Sequence, residues 1–245
     1  MIRKFGFTLV LVTAVIVAAC GRQVTPNPPN SGPGGLSPGF MSVKFDVGGP
    51  FNFSSYRYFI VFNTTGNGQT PLTNPQQNNW AAYSYALEVG GSGAATFAGA
   101  WEYLRSSNCP TCIPAYIQLL TTPTQLQYLP NSNGSGTEFT LTFQPVIFNG
   151  VATPSPGATA TPPPVRNIWL FNAFTTQPNV NAQLTFLDSL GTFGATDTTF
   201  QSPQLNINTQ FDQVVFALDG NPPSDPAAQL VSVEIANNPL ITPSP

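Results

Sequence analysis

Cys109-Pro110-Thr111-Cys112 is the tightest grouping of reactive side chains in the sequence. Two thiols at this spacing fit a structural disulfide that clips a short loop. A loop this small would add about 1–2 kcal/mol through chain entropy. The same spacing can serve redox chemistry, but that needs a βαβ setting. It can also hold half of a metal site, but the chain has no histidine to supply further ligands. Covalent haem would require His after the second Cys, where Ile113 stands.

The lack of histidine removes the Ser-His-Asp triad, the Cys-His pair and His-ligated haem. Carboxylates remain. The ten acids are Asp46, Glu88, Glu102, Glu138, Asp188, Asp197, Asp212, Asp219, Asp225 and Glu234. Two carboxylates can hydrolyse glycosides without His, but no spacing here selects a pair. Asp197-Thr198-Thr199 lacks the Gly of an aspartic-protease motif and reads as a turn. Ser42 and Lys44 would share a strand face, which is the minimum for a Ser-Lys dyad, yet Lys44 fits better beside Asp46. Asp219, Asn221 and Asp225 could turn oxygens towards a calcium ion, although the spacing is not that of an EF-hand. A plain turn accounts for them as well. Non-enzymatic chemistry has candidates too. Trp80, Trp101 and Trp169, with Tyr83 and Tyr103, could stack on sugar rings if exposed on one face. Core packing is the other reading of the same rings. Seven Lys and Arg give no basic footprint for nucleic acid.

The elements that must position these residues are strands. Val43, Phe45 and Val47 alternate with Lys44 and Asp46, the period-two pattern of a half-buried strand. Tyr56–Phe62 is aromatic and β-branched and suits a central strand. Further strands are expected at 82–89, 96–104, 137–148, 167–173, 182–187, 204–208, 213–218 and 230–235. Gly-, Asn- and Pro-rich turns separate them. This pattern predicts an all-β fold: an antiparallel β-sandwich, Ig-like or jelly-roll-like, with at most one or two short helices. Thr122-Pro123-Thr124-Gln125 is a capping-box pattern that would start a helix over Pro123–Leu129. Ala115–Leu120 could be a second helical turn or a strand.

Charged residues make up 7% of the chain, against about 25% in an ordinary domain. The 21 Gly and 26 Pro cluster in particular stretches. Residues 21–39 are aperiodic and Pro-rich and read as a tether. Residues 151–164 (VATPSPGATATPPP) read as a long loop within one domain spanning 40–238. The end, 239–245, reads as a disordered tail.

The N-terminus carries the most specific signal. Arg3 and Lys4 precede a charge-free run from Phe5 to Ala19. That run suits a signal-peptide core and is short for a membrane span, which needs about 20 residues. It ends in Val17-Ala18-Ala19-Cys20, which resembles the lipobox of bacterial lipoprotein precursors. The resemblance implies removal of residues 1–19, a diacylglycerol thioether on Cys20 and acylation of the new amine. More than one acyl chain makes such an anchor stable. Gly21, where Asp would favour inner-membrane retention, leans towards the outer membrane. The expected location is therefore the cell or outer membrane, lipid-anchored and facing the periplasm or the exterior. The lipid on Cys20 is the one covalent group expected, and no other cofactor or metal is. The expected role is a non-catalytic structural or interaction component of the envelope, with proteins or polysaccharide as partners. A carbohydrate-binding module is the alternative, and a carboxylate-based glycoside hydrolase is the third.

Overall fold

The structure is a computed structural model that describes residues 32–64, 84–92, 95–104, 115–130, 134–149, 167–178, 184–191, 204–218 and 222–240. The signal segment, Cys20, the Cys109–Cys112 pair, Trp80, Tyr83, the 151–164 stretch and residues 241–245 lie outside the described residues.

Among the described residues, twelve strands form two antiparallel sheets, and the fold is an all-β sandwich. In chain order the strands are β1 Phe40–Val47, β2 Arg57–Asn63, β3 Tyr85–Ser92, β4 Ala95–Leu104, β5 Ala115–Leu119 and β6 Leu126–Pro130. They continue with β7 Glu138–Phe143, β8 Ile168–Pro178, β9 Leu184–Ser189, β10 Leu205–Asn206, β11 Phe211–Phe216 and β12 Leu230–Asn238. One sheet runs β11-β12-β1-β7-β6. The other runs β10-β8-β2-β3-β4-β5, and β9 also pairs with β8. Strands from either side of residues 151–164 enter both sheets.

The alternating sequences fold as alternation dictates. In β1, Met41, Val43, Phe45 and Val47 are buried while Ser42, Lys44 and Asp46 face outward. β7 repeats the pattern with Phe139, Leu141 and Phe143. The core between the sheets is largely aromatic. At one end Phe45 stacks on Phe139 at 5.2 Å between ring centroids, and Tyr58 meets both edge-on. At the other, Phe148 packs on Phe62, Tyr85, Phe143 and Trp169.

Three expectations change, and one alternative is decided. Pro123–Leu129 is not a helix. Half of the capping box forms: the Thr122 amide donates to Gln125 Oε1 at 3.0 Å, but the Thr122 hydroxyl donates to that same oxygen at 3.1 Å and the Gln125 amide bonds the Thr122 carbonyl. They close one turn only. Leu126 then enters the core and β6 pairs along β7, Leu126 opposite Phe143. A helix here would leave the β7 edge without partners for its backbone. Ala115–Leu119 is likewise a strand, paired with β4. Strand β7 stops at Phe143, and Pro145, which has no N–H to offer the ladder, begins a 3₁₀ turn to Asn149. Finally, the stretch read as tether ends early. Leu36 is buried, its carbonyl accepts Asn238 Nδ2 at 2.7 Å, and Gly39 N donates to the Asn238 carbonyl. A Cβ on Gly32 would lie 2.5 Å from Asn238, so only glycine allows this approach.

The sheets are tied together at the segment feeding β12. Tyr56 Oη donates to Asp225 Oδ2 at 2.6 Å, Tyr58 Oη to the Ala227 carbonyl at 2.9 Å and Thr175 Oγ1 to the Ala228 carbonyl at 2.5 Å. The buried Asp188 carboxylate accepts the amides of Ser189 and Leu230, each at 2.8 Å. A register shift between β8 and β9 sets Asp188 opposite Thr175. Replacing Asp188 by Ala strands two buried donors and should cost roughly 2–5 kcal/mol, whereas Tyr58→Phe should cost about 1 kcal/mol. Urea unfolding of both variants checks the order. Equal midpoints would show that Asp188 does not carry this junction.

Candidate functional site

The outward face of the seven-stranded sheet is where candidate side chains converge. Three neighbouring strands supply it. Pairing sets Phe59 of β2 opposite Glu88 of β3, and Glu88 opposite Gly99 of β4. Ala86 lies between Val61 and Trp101 in the next row. Phe59, Val61, Ala86 and Phe174 are buried on this face, with Trp101, Leu184 and Phe186 packed against them. The sandwich therefore has a second apolar cluster outside its main core.

One charged pair is set into this apolar face. Arg57 Nε lies 3.9 Å from Glu88 Oε1, and their side chains are only 18% and 13% exposed. Arg57 Nη1 also donates to the carbonyls of Phe53 and Tyr56, at 2.7 and 2.9 Å. Its guanidinium carbon sits 5.6 Å from the centre of the Phe97 ring, a cation–π distance. Gly90 makes this possible. A Cβ there would fall 2.3 Å from Arg57 Cδ and 3.0 Å from Phe97.

Burial is the largest influence on Glu88 and lifts its carboxyl to about 7, even though Arg57 and Trp101 pull it down. The Trp101 indole N–H faces this carboxyl without reaching hydrogen-bond geometry, so a buried donor is left without an acceptor. Gly99 is buried beneath Trp101 and Gln118, and a Cβ there would lie 3.4 Å from Trp101 Nε1. A carboxyl poised near neutrality and the half-exposed Phe97 ring can together meet a hydroxyl-rich ligand. Among the described residues, Arg57 and Trp101 are the groups that act on Glu88. A carboxylate-pair hydrolase would require a second acid facing it.

Four other acids, Asp46, Glu138, Asp212 and Glu234, lie on the outward face of the five-stranded sheet. Lys44 Nζ bonds Glu234 Oε2 at 2.7 Å, so its partner is the directly opposed residue of β12 rather than Asp46. That hydrogen bond raises the Lys44 pKa. Asp46 lies opposite Glu138, and its carboxyl is raised first by burial, with the Glu138 charge adding to it. Burial and the Glu234 charge raise Asp212 as well. Asp225 is occupied within the protein, accepting Tyr56 Oη and the Ala227 amide, and these bonds lower its pKa. Among the described residues no group of three acids is arranged to hold a metal ion.

Of the stacking candidates, Trp169 is a core residue. It is fully buried against Phe62 and Phe148 and cannot meet a ligand. It shares its face of β8 with Phe171 and Ala173, both buried, and that shared face explains its place. Trp101 alone of the three Trp stands on the outward face among the described residues. Trp80, Tyr83 and the Tyr103 side chain, like Cys20, Cys109 and Cys112, are outside the described residues. Sequence reasoning singled out neither Arg57 nor Phe97, and it placed Glu88 in no site. A signal was present: Arg57 interrupts the apolar run YRYFIVF, and Glu88 interrupts ALEVG. A lone charge in such a run needs a partner.

The chain matches no family model, no curated protein and no solved structure.

Gly90→Ala should displace Arg57 and raise the Glu88 titration further, read by carboxyl ¹³C NMR. An unmoved titration would show that Arg57 is not its partner. The pH dependence of stability follows from the same group. Its native pKa of about 7 exceeds the ordinary 4.5. The contribution is therefore complete below about pH 4.5 and is lost as pH rises through about 7. Glu88→Gln should flatten that part of the urea-midpoint curve.

Proposed function

We propose that this chain is a lipid-anchored component of the bacterial cell envelope with a non-catalytic structural or interaction role. The observation that carries the reading is Val17-Ala18-Ala19-Cys20 at the end of a charge-free apolar run behind Arg3 and Lys4. Small residues before the cut fit a signal peptidase, and the Cys20 thiol would take the diacylglycerol. The Pro-rich residues that follow would space a β-sandwich from the bilayer. Such a sandwich presents broad sheet faces and strand edges, which suit contact with neighbouring molecules.

Mass spectrometry of the protein from its own membranes tests this. The N-terminal peptide should begin at an acylated Cys20. Cys20→Ala should shift the protein from the detergent-rich to the aqueous phase on Triton X-114 partition. An N-terminus without lipid would end the reading.

A second reading rests on the Arg57–Glu88–Trp101–Phe97 face. There the domain would bind a polysaccharide, with Phe97 and Trp101 stacking on sugar rings and Glu88 accepting hydroxyl hydrogen bonds. The purified chain should sediment with peptidoglycan sacculi, and Trp101→Ala should reduce the bound fraction by at least about tenfold, the loss expected for one stacking contact of ~1.4 kcal/mol. Sedimentation unchanged by this substitution would remove the face from consideration.

A further inference from the structure

We infer that β11 is an assembly edge, pairing antiparallel with β11 of a second copy to join two five-stranded sheets into one. The inference deepens the interaction role proposed above but rests on a different part of the molecule.

Edge strands invite pairing, and proteins blunt them with Pro, Lys, bulges or short length. Of the four other edge strands among the described residues, three are blunted, and the fourth, β5, is shorter than β11 at five residues. β6 closes on Pro130, the β8–β9 pairing carries a register shift, and β10 is two residues long. β11 has none of these features. It runs six residues in unbroken register with β12, and it contains neither Lys nor Pro. Among the described residues it is the outermost strand of its sheet.

The backbone of β11 is ready to accept a partner. Ala217 N donates to the Val231 carbonyl at 2.9 Å. In an antiparallel ladder the bonding direction alternates. Residues 211, 213, 215 and 217 therefore bond to β12, and the N–H and C=O groups of Asp212, Val214 and Phe216 point away from the sheet.

The side chains favour a second copy as the occupant. Val214, Phe216 and Leu218 are 49%, 63% and 58% exposed, all on one face. Antiparallel self-pairing about a two-fold axis at Val215 sets Val214 opposite Phe216 of the other chain, twice. This makes one apolar patch of four side chains around the axis, an aromatic and β-branched combination favoured between strands. Asp212, the one charge on the strand, falls opposite Leu218. The two Asp212 residues are then six positions apart along the ladder, roughly 20 Å, and do not repel strongly.

The test uses the full-length chain in membranes of cells that produce it. Val215 is a non-hydrogen-bonded position at the axis, where opposed β-carbons come close enough for a disulfide. Val215→Cys under mild oxidation should give a dimer band on a non-reducing gel, well above any band from the wild-type cysteines. Val214→Pro removes one outward N–H and no bond to β12, so the domain should keep its fold, checked by its circular dichroism melt. Added to Val215→Cys, it should abolish the dimer. No dimer band, a band unaffected by Val214→Pro, or cross-linking to a different protein would each overturn the inference. A lipidated chain that does not cross-link keeps the anchor and loses this edge. A chain that cross-links without lipid does the reverse.

Discussion

The segment from Asp225 to Leu230 is the junction on which the sandwich depends. Four side chains of the seven-stranded sheet and its approach, Tyr56, Tyr58, Thr175 and Asp188, reach across to it. It leads directly into β12, which lies between β11 and β1 in the other sheet. Placing β12 places β1 by register, and β1 places β7 and β6 in turn. The junction uses hydroxyl, carboxylate and backbone groups, as a chain with 7% charged residues must. Each of the buried bonds, those of Tyr58, Thr175 and Asp188, is worth about 1 kcal/mol net, but leaving one of these groups unpaired costs more. The arrangement therefore acts more against misplacement of β12 than as a large source of stability.

The two ion pairs show how little this fold depends on charge. Lys44–Glu234 is short at 2.7 Å, but about a third of each side chain is in water. Such a pair contributes about 1 kcal/mol at most. Arg57–Glu88 is better buried and longer at 3.9 Å. Glu88 is lifted to about 7 with the guanidinium beside it, so desolvation outweighs the attraction. A fold selected only for stability would gain by placing apolar side chains there. Gly90 lets the Arg57 stem and Phe97 close over the sheet, where a Cβ would fall 2.3 Å from Arg57 Cδ. A costly charge pair that the backbone is shaped to accommodate is what marks the face as a candidate site.

Strands flanked by clear alternation were legible from the sequence, because a buried face imposes period two directly on the residues. β1, β7 and β12 are of this kind. β5 and β6 were less legible for a physical reason. Thr122–Gln125 satisfies a helix-start pattern locally, and only the unpaired edge of β7 decides that the chain extends after one turn. The site was harder still. Arg57, Glu88 and Trp101 lie on three strands joined by register, and no local pattern specifies that register. Trp169 shows the converse case, since the same aromatic type that could stack on a ligand fills the core when its strand face turns inward.

The proposed pairing through β11 fixes where the two copies begin. The chain enters the sandwich at Leu36, held by Asn238, and Asn237 beside it pairs with Phe211 at the start of β11. A two-fold axis between antiparallel strands stands normal to the sheet, so copies paired in this way would enter their shared sheet at opposite ends.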